Sequence, residues 1–283
     1  MSVRRMKILI SADMEGATGV TWPADVEPGT EQWQRCRRMF TSDVNAAIGG
    51  LFDGGAEEIL VNEAHATMRN LLLEELDERA VMLTGRHKDL SMVEGIQQPD
   101  VSGVAFVGYH AGAGRDGVLA HTYLPNSITG VRVNGAPASE GRLNALVAAE
   151  YGVPVILVTG DDVTCEDAAS YAPQAQTSAV KDRVSRYSAV CRPPRVTAAG
   201  IRAAAARAVK LAGRREPARE PGGYRVEVDL DATQLAQAAA VVPTVQRTGE
   251  RSIAYASATA WDMIRCFKAV TTLISAAIEN AYG

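Results

Sequence analysis

The sequence predicts an α/β fold: a mostly parallel sheet flanked by helices, with a smaller C-terminal α+β lobe. Two observations predict it. Through about residue 212, short apolar runs alternate with helically spaced segments, the pattern of strands joined by crossover helices and covered on both faces. Beyond that point the pattern changes to a connector, one cleanly alternating strand and a long closing helix.

Lys7-Ile-Leu-Ile-Ser-Ala12 is short, apolar and soon punctuated, so it reads as a buried strand. Residues 31–54 carry helical spacing and stop at Gly54-Gly55. Glu58-Ile-Leu-Val61 and Val101 to Val107 are the next strands, and Glu140 to Tyr151 is a helix with Leu143, Leu146 and Val147 on one side. Val153 to Thr159 is a fourth strand, delivered into Gly160-Asp161-Asp162. Ala198 to Leu211 is an Ala-rich helix. The Pro, Gly and charge content of residues 213–223 marks an exposed connector. Tyr224 to Leu230 alternates as a half-buried strand, Ser252 to Thr259 is placed to pair with it, and Ala260 to Tyr282 closes the chain as a helix. The expected organisation is a catalytic α/β domain over 1–212, a linker over 213–223 and a lobe over 224–283, which could equally extend the same sheet.

Composition excludes several function classes. With 283 residues, a net charge of −4 and no basic run interleaved with aromatics, the chain gives no reason to expect a nucleic-acid partner. No stretch approaches the roughly 20 apolar residues of a membrane span. The basic Met1-Ser-Val-Arg-Arg5 is followed too soon by Asp13 and Glu15 to read as a signal peptide. Cys36, Cys165, Cys191 and Cys266 are far apart and read as reduced thiols of a cytoplasmic protein.

Three of the four histidines fall in segments with the makings of a site: Asn62-Glu-Ala-His65, Gly108-Tyr-His110 and Ala120-His121. Asp13 and Glu15 close the first strand two residues apart, so in extended chain they point to the same side. His65 and His110 sit at comparable strand ends, where open α/β sheets gather ligands. His121 lies on the Gly/Ala-rich loop that follows. As a ligand, a base or a surface side chain it remains open. Glu140 opens a helix, where an acid also complements the helix dipole. Imidazole and carboxylate without thiolate is the ligand set that catalytic zinc prefers. His87 stands among charges in an exposed turn and receives no function. Gly112-x-Gly114-x-x-Gly117 follows a strand but precedes no helix, so nothing would hold a pyrophosphate. No G-x-S-x-G elbow is present.

With these segments laid out, the chain closely resembles the zinc-dependent D-aminopeptidases of the DppA type, peptidase family M55. The matching stretches are Ser11-Ala-Asp-Met-Glu-Gly16, Leu60-Val-Asn-Glu-Ala-His65, Ser91-Met-Val-Glu-Gly95, Val107-Gly-Tyr-His-Ala111 and Glu140-Gly-Arg-Leu-Asn-Ala145. They continue, in the family's order, through Pro154-Val155, Gly160-Asp-Asp162 and Ala179-Val-Lys181, and weaken after about residue 195. The resemblance implies a dinuclear centre with two Zn²⁺ per subunit. Its metal ligands fall on Asp13, Glu15, His65, His110 and Glu140, with Asp13 bridging, and the active-site histidine falls on His121. It further implies a homo-oligomer that releases N-terminal D-amino acids from short peptides. Two other readings stay open: a dinuclear-zinc amidohydrolase for another small amide, and a peptide-binding assembly protein without catalysis. The departures are peripheral. The His65 turn reads Asn-Glu-Ala where Asn-Asp-Ser is usual, and Leu124 to Val131 does not match, which bears on specificity more than on chemistry.

Overall fold

A computed structural model describes residues 6–214 and 222–279. Most of the expected connector over 213–223 therefore lies outside the described residues. The elements run β1 (Lys7–Ala12), α1 (Glu31–Asp53), β2 (Glu58–Glu63), β3 (Val81–Leu83), β4 (Val101–Val107), β5 (Ile128–Val133), β6 (Ala136–Pro137), α2 (Glu140–Glu150), β7 (Val155–Asp161) and α3 (Asp162–Tyr171). They continue as β8 (Gln176–Ser185), β9 (Ser188–Cys191), α4 (Pro194–Ala208), β10 (Tyr224–Leu230), α5 (Thr233–Ala239), β11 (Gln246–Arg247), β12 (Ser252–Ser257) and α6 (Ala260–Ala276).

Seven strands form one sheet in the order β3-β2-β1-β4-β7-β8-β9, parallel except for β9 at the edge. The order reverses direction between β1 and β4, and at such a switch point the loops leaving neighbouring strands diverge and open a crevice. The second sheet, β11-β12-β10-β5-β6, is antiparallel. Its C-terminal strands recruit β5 and β6 from the segment between β4 and α2, so the smaller lobe is completed by an earlier part of the chain.

Alternation along β1 explains the layering. Ile8 and Ile10 join the core formed with Phe40, Val44, Ile48 and Leu51 of α1 and with Ile201 and Ala205 of α4. Leu9 points the other way, into the core shared with Leu143 and Val147 of α2, the antiparallel sheet and Phe267 of α6. Burying both faces explains why the central strands are nearly continuous apolar runs. Each fully buried large aliphatic side chain contributes about 1.5–3 kcal/mol.

Helix ends follow ordinary capping chemistry. Thr30 accepts from Trp33 N at the start of α1, Ser139 from Arg142 N at α2, and Asp161 from Thr164 N at α3. Where sequence and structure differ, the causes are local. Helix α4 begins before Ala198 because Pro194 suits a first turn, and its end tightens into a 3₁₀ turn through Leu211. Helix α6 stops at Ala276, short of the expected Tyr282, and residues 280–283 lie outside the described residues.

Candidate metal centre

The parallel register brings the site together. Ala12 of β1 lies level with Glu63 of β2 and Val107 of β4, so the residues that follow each strand emerge at one edge of the sheet. Asp13 N donates to the Val107 carbonyl, Ala64 N to Ala12, and Gly16 N to Gly108. The β1 and β4 exits approach so closely that only glycine fits. A Cβ on Gly16 would overlap the Tyr109 carbonyl, and one on Gly108, which has φ +74°, would overlap that of Asp13. Asp13, Glu15 and His110 are thus carried into one pocket by backbone contact. His65 enters from β2, Glu140 from the first turn of α2, and His121 from the loop after β4. All six side chains are buried.

The charged atoms face one another at short range. His65 Nδ1 lies 2.9 Å from Glu15 Oε2 and 3.4 Å from Asp13 Oδ1. His110 Nε2 lies 3.4 Å from both Asp13 Oδ2 and Glu140 Oε1. His121 Nε2 is 3.7 Å from Glu15 Oε1 and 3.9 Å from Glu140 Oε1. The His110 and His121 rings stack, with centroids 4.1 Å apart.

Backbone carbonyls decide the tautomers. His65 Nε2 faces the Val26 carbonyl at 2.9 Å, His110 Nδ1 that of Ala111 at 3.0 Å, and His121 Nδ1 that of Leu119 at 2.8 Å. A carbonyl can only accept, so each of these nitrogens carries the proton. The other nitrogen of each neutral ring then presents a lone pair to carboxylate oxygens, which are themselves acceptors. Three lone pairs aimed at three carboxylates require a cation, either protons or a metal.

Two further observations favour a metal. Asp13 Oδ2 is buried without a hydrogen-bond partner, and Glu15 Oε2 faces only the His65 nitrogen that would itself ligate. Ligand atoms also converge, within 4.8 Å of one another, as three trios: Asp13-Glu15-His65, Asp13-His110-Glu140 and Glu15-His110-His121. Asp13 belongs to the first two and turns one oxygen toward each histidine, the arrangement a bridging carboxylate needs. The residues fit zinc in both type and geometry.

Without metal, the electrostatics are tense. Burial, reinforced by the Glu15 charge, pushes Asp13 up to about 7. Against the burial that opposes ionisation, the three histidines hold Glu15 well below the carboxylate range. Burial disfavours imidazolium, yet the Glu140 and Asp13 carboxylates raise His110 to about 10, and Glu15 and Asp13 raise His65 well above its ordinary value. His121 goes the other way. Burial, with the neighbouring His110 charge, lowers it.

Sequence reasoning missed the supports, most of which lie in backbone or in unremarkable polar residues. Glu63 accepts from the Asn70 amide and, at 2.9 Å, from its side chain, while Asn70 also donates to the His65 carbonyl at 2.8 Å. Asp161 accepts from Val118 N at 2.7 Å and pins the His121 loop. Asn144 donates to Tyr109 Oη, which leads on to Ser11 Oγ and the Met92 carbonyl. Tyr123 N holds Glu140 Oε1 at 2.7 Å. Ala66, Met68, Leu119 and Tyr123, which flank His65 and His121, all adopt left-handed φ of 45–61°. Such backbone costs on the order of 1–3 kcal/mol per residue and clusters at functional sites. The Gly112–Gly117 segment leads into turns rather than a helix, as its sequence indicates.

Comparison with known proteins agrees with this geometry. The D-aminopeptidase model of peptidase family M55 matches residues 6–269. A D-aminopeptidase of Bacillus subtilis (strain 168) is 32% identical over 281 residues, covering 98% of this chain and 100% of the relative. The solved structure of the Zn-dependent D-aminopeptidase DppA from Bacillus subtilis, described as a self-compartmentalizing protease, superposes with a TM-score of 0.91 at 30% identity, covering 95% of this chain and 98% of that one. By sequence, by fold and by the full-length extent of both matches, this chain belongs to the D-aminopeptidase family of peptidases.

Proposed function

We propose that this protein is a zinc-dependent aminopeptidase that releases N-terminal D-amino acids from short peptides at a two-zinc centre. The observation that carries this reading is the set of three histidine lone pairs held by backbone carbonyls against three buried carboxylates. Asp13, Glu15 and His65 would hold one ion, Asp13, His110 and Glu140 the other, with Asp13 shared. Bound zinc would supply a water of lowered pKa and polarise the scissile carbonyl. The chain's own part is positioning and proton transfer. The carbonyls of Val26 and Ala111 keep the His65 and His110 rings in their ligating tautomers, and Tyr123 N keeps Glu140 turned inward.

His121 is the proton carrier. Its Nδ1 donates to the Leu119 carbonyl, which leaves the lone pair of the neutral ring on Nε2. Nε2 can therefore take a proton from the attacking water and return it to the leaving amine. The D-preference and the peptide substrate rest on family membership and on the named relatives. A homo-oligomer is supported by the self-compartmentalizing relative. A cytoplasmic location fits the four free thiols, and no described helix is long and apolar enough to cross a membrane. The test is release of amine from D-Ala and L-Ala p-nitroanilides with zinc and with a chelator. Chelator-sensitive turnover of the D-compound alone is expected. Turnover of neither would point to another small amide, and peptide binding without any product to an assembly role.

A further inference from the structure

The chain leaving β1 does not fold back on its own strand. From Asp13 it crosses the ends of β4 and β7 toward β8, where Lys181 receives it. Lys181 is fully buried, and its ammonium donates to the carbonyls of Glu15 at 2.6 Å, Ala17 at 3.0 Å and Val20 at 2.6 Å. All three of its protons are used. Those carbonyls belong to irregular chain and lie outside the strand and helix ladders; that of Ala17 also accepts from Val20 N at 3.3 Å, and it is the lysine that gathers all three. Glu15 is consequently fixed at both ends, its carbonyl on Lys181 and its carboxylate between His65 and His121. A second tether lies between the clamped residues, where Thr18 donates from N and Oγ1 to buried Asp43 at 2.8 and 2.9 Å.

As a stabiliser of the fold this is a poor choice. A buried ammonium bound to neutral carbonyls carries a desolvation cost that a packed apolar side chain would avoid. What the ammonium does, and an apolar chain could not, is draw three carbonyls of one irregular loop to one point. We propose that Lys181 is a positioning residue of the metal centre, clamping residues 15–20 so that the Glu15 carboxylate is set for metal before metal arrives. This rests on the two-zinc reading above.

The experiment compares chelator-stripped wild type, K181M and K181Q, using zinc alone and cobalt alone as probes. Zinc affinity is read by competition with a chromophoric chelator, coordination by the cobalt visible absorption, and folding by circular dichroism of the metal-free chains. K181M should fold without metal, bind zinc about 10–100-fold more weakly and show an altered cobalt spectrum. K181Q, which keeps amide donors, should fall between K181M and wild type. Wild-type affinity and spectrum in K181M overturn the proposal. So does failure of both variants to fold with saturating zinc, since the lysine would then hold the fold rather than the site. Absence of zinc binding by the wild type is distinguishable from either result and removes the metal-centre reading itself.

Discussion

Loading the proposed centre with zinc should expel protons, and the number follows from the hydrogen bonds of the histidines. His65 and His110 each commit one nitrogen to a backbone carbonyl as donor, which leaves the second nitrogen as the only place for metal. In the metal-free chain that second nitrogen is protonated at pH 7, because His110 stands at about 10 and His65 well above its ordinary value. Each ring therefore loses one proton when metal binds. Asp13, raised by burial to about 7, contributes up to one proton more. His121, Glu15 and Glu140 are lowered and contribute none. The sum is about two to three protons at pH 7, rising by up to about one where a bound water ionises. Protons and metal compete, so apparent affinity should rise with pH across this range. The assay is calorimetric titration of zinc into stripped protein in buffers of different ionisation enthalpy, where the slope of observed enthalpy counts the protons. H110N should remove about one of them. A slope near zero would refute this proton count, because it would mean that the second nitrogens were already unprotonated without metal.

Three other outcomes are expected. H121Q should keep its zinc content and its KM while losing about 10²–10⁴-fold in kcat, checked by metal analysis and steady-state kinetics; loss of zinc instead would make His121 a ligand. G16A should destabilise the chain by about 1–3 kcal/mol in urea unfolding and lower its zinc content, because the added methyl overlaps the Tyr109 carbonyl; a stable, zinc-replete variant would contradict the close approach of the β1 and β4 exits. Asp43 is raised by burial from 3.8 to about 6, so the folded state holds its proton more tightly than the unfolded one, and this group's contribution falls by roughly 3 kcal/mol as pH rises from about 4 to above 6. Relative to D43N, wild-type stability should decline across that window in chelator, and parallel pH curves would argue against it.

The parts of the fold legible in sequence were those where burial on both faces wrote a continuous apolar run: β1, β2, β4 and β7, with α1 and α2 between them. Strand β8 was not legible. Gln176–Ser185 is mostly Gln, Thr, Ser, Lys, Asp and Arg, and its only fully buried apolar residue is Val180, beside the buried ammonium of Lys181. Helix α3 has only 10 residues and little apolar stripe, so no period announced it. Strands β5 and β6 lie in the stretch 128–137, where pairing with β10, some 90 residues later, supplies the order that local pattern does not.

At the site, the six side chains were legible because carboxylates and imidazoles at strand ends are chemically conspicuous. What orients them was not. The carbonyls of Val26, Ala111 and Leu119 carry no side-chain signature, and Lys181 reaches the Glu15 loop across more than 160 residues of sequence. Such partners are set by topology, and only the folded register reveals them.

Whether five side chains hold two metals with Asp13 between them can be seen by diffraction from zinc-soaked crystals at wavelengths either side of the zinc absorption edge. Two anomalous peaks per chain are expected, one among Asp13, Glu15 and His65 and one among Asp13, His110 and Glu140. A single peak, or a pair that does not share Asp13, would contradict that arrangement.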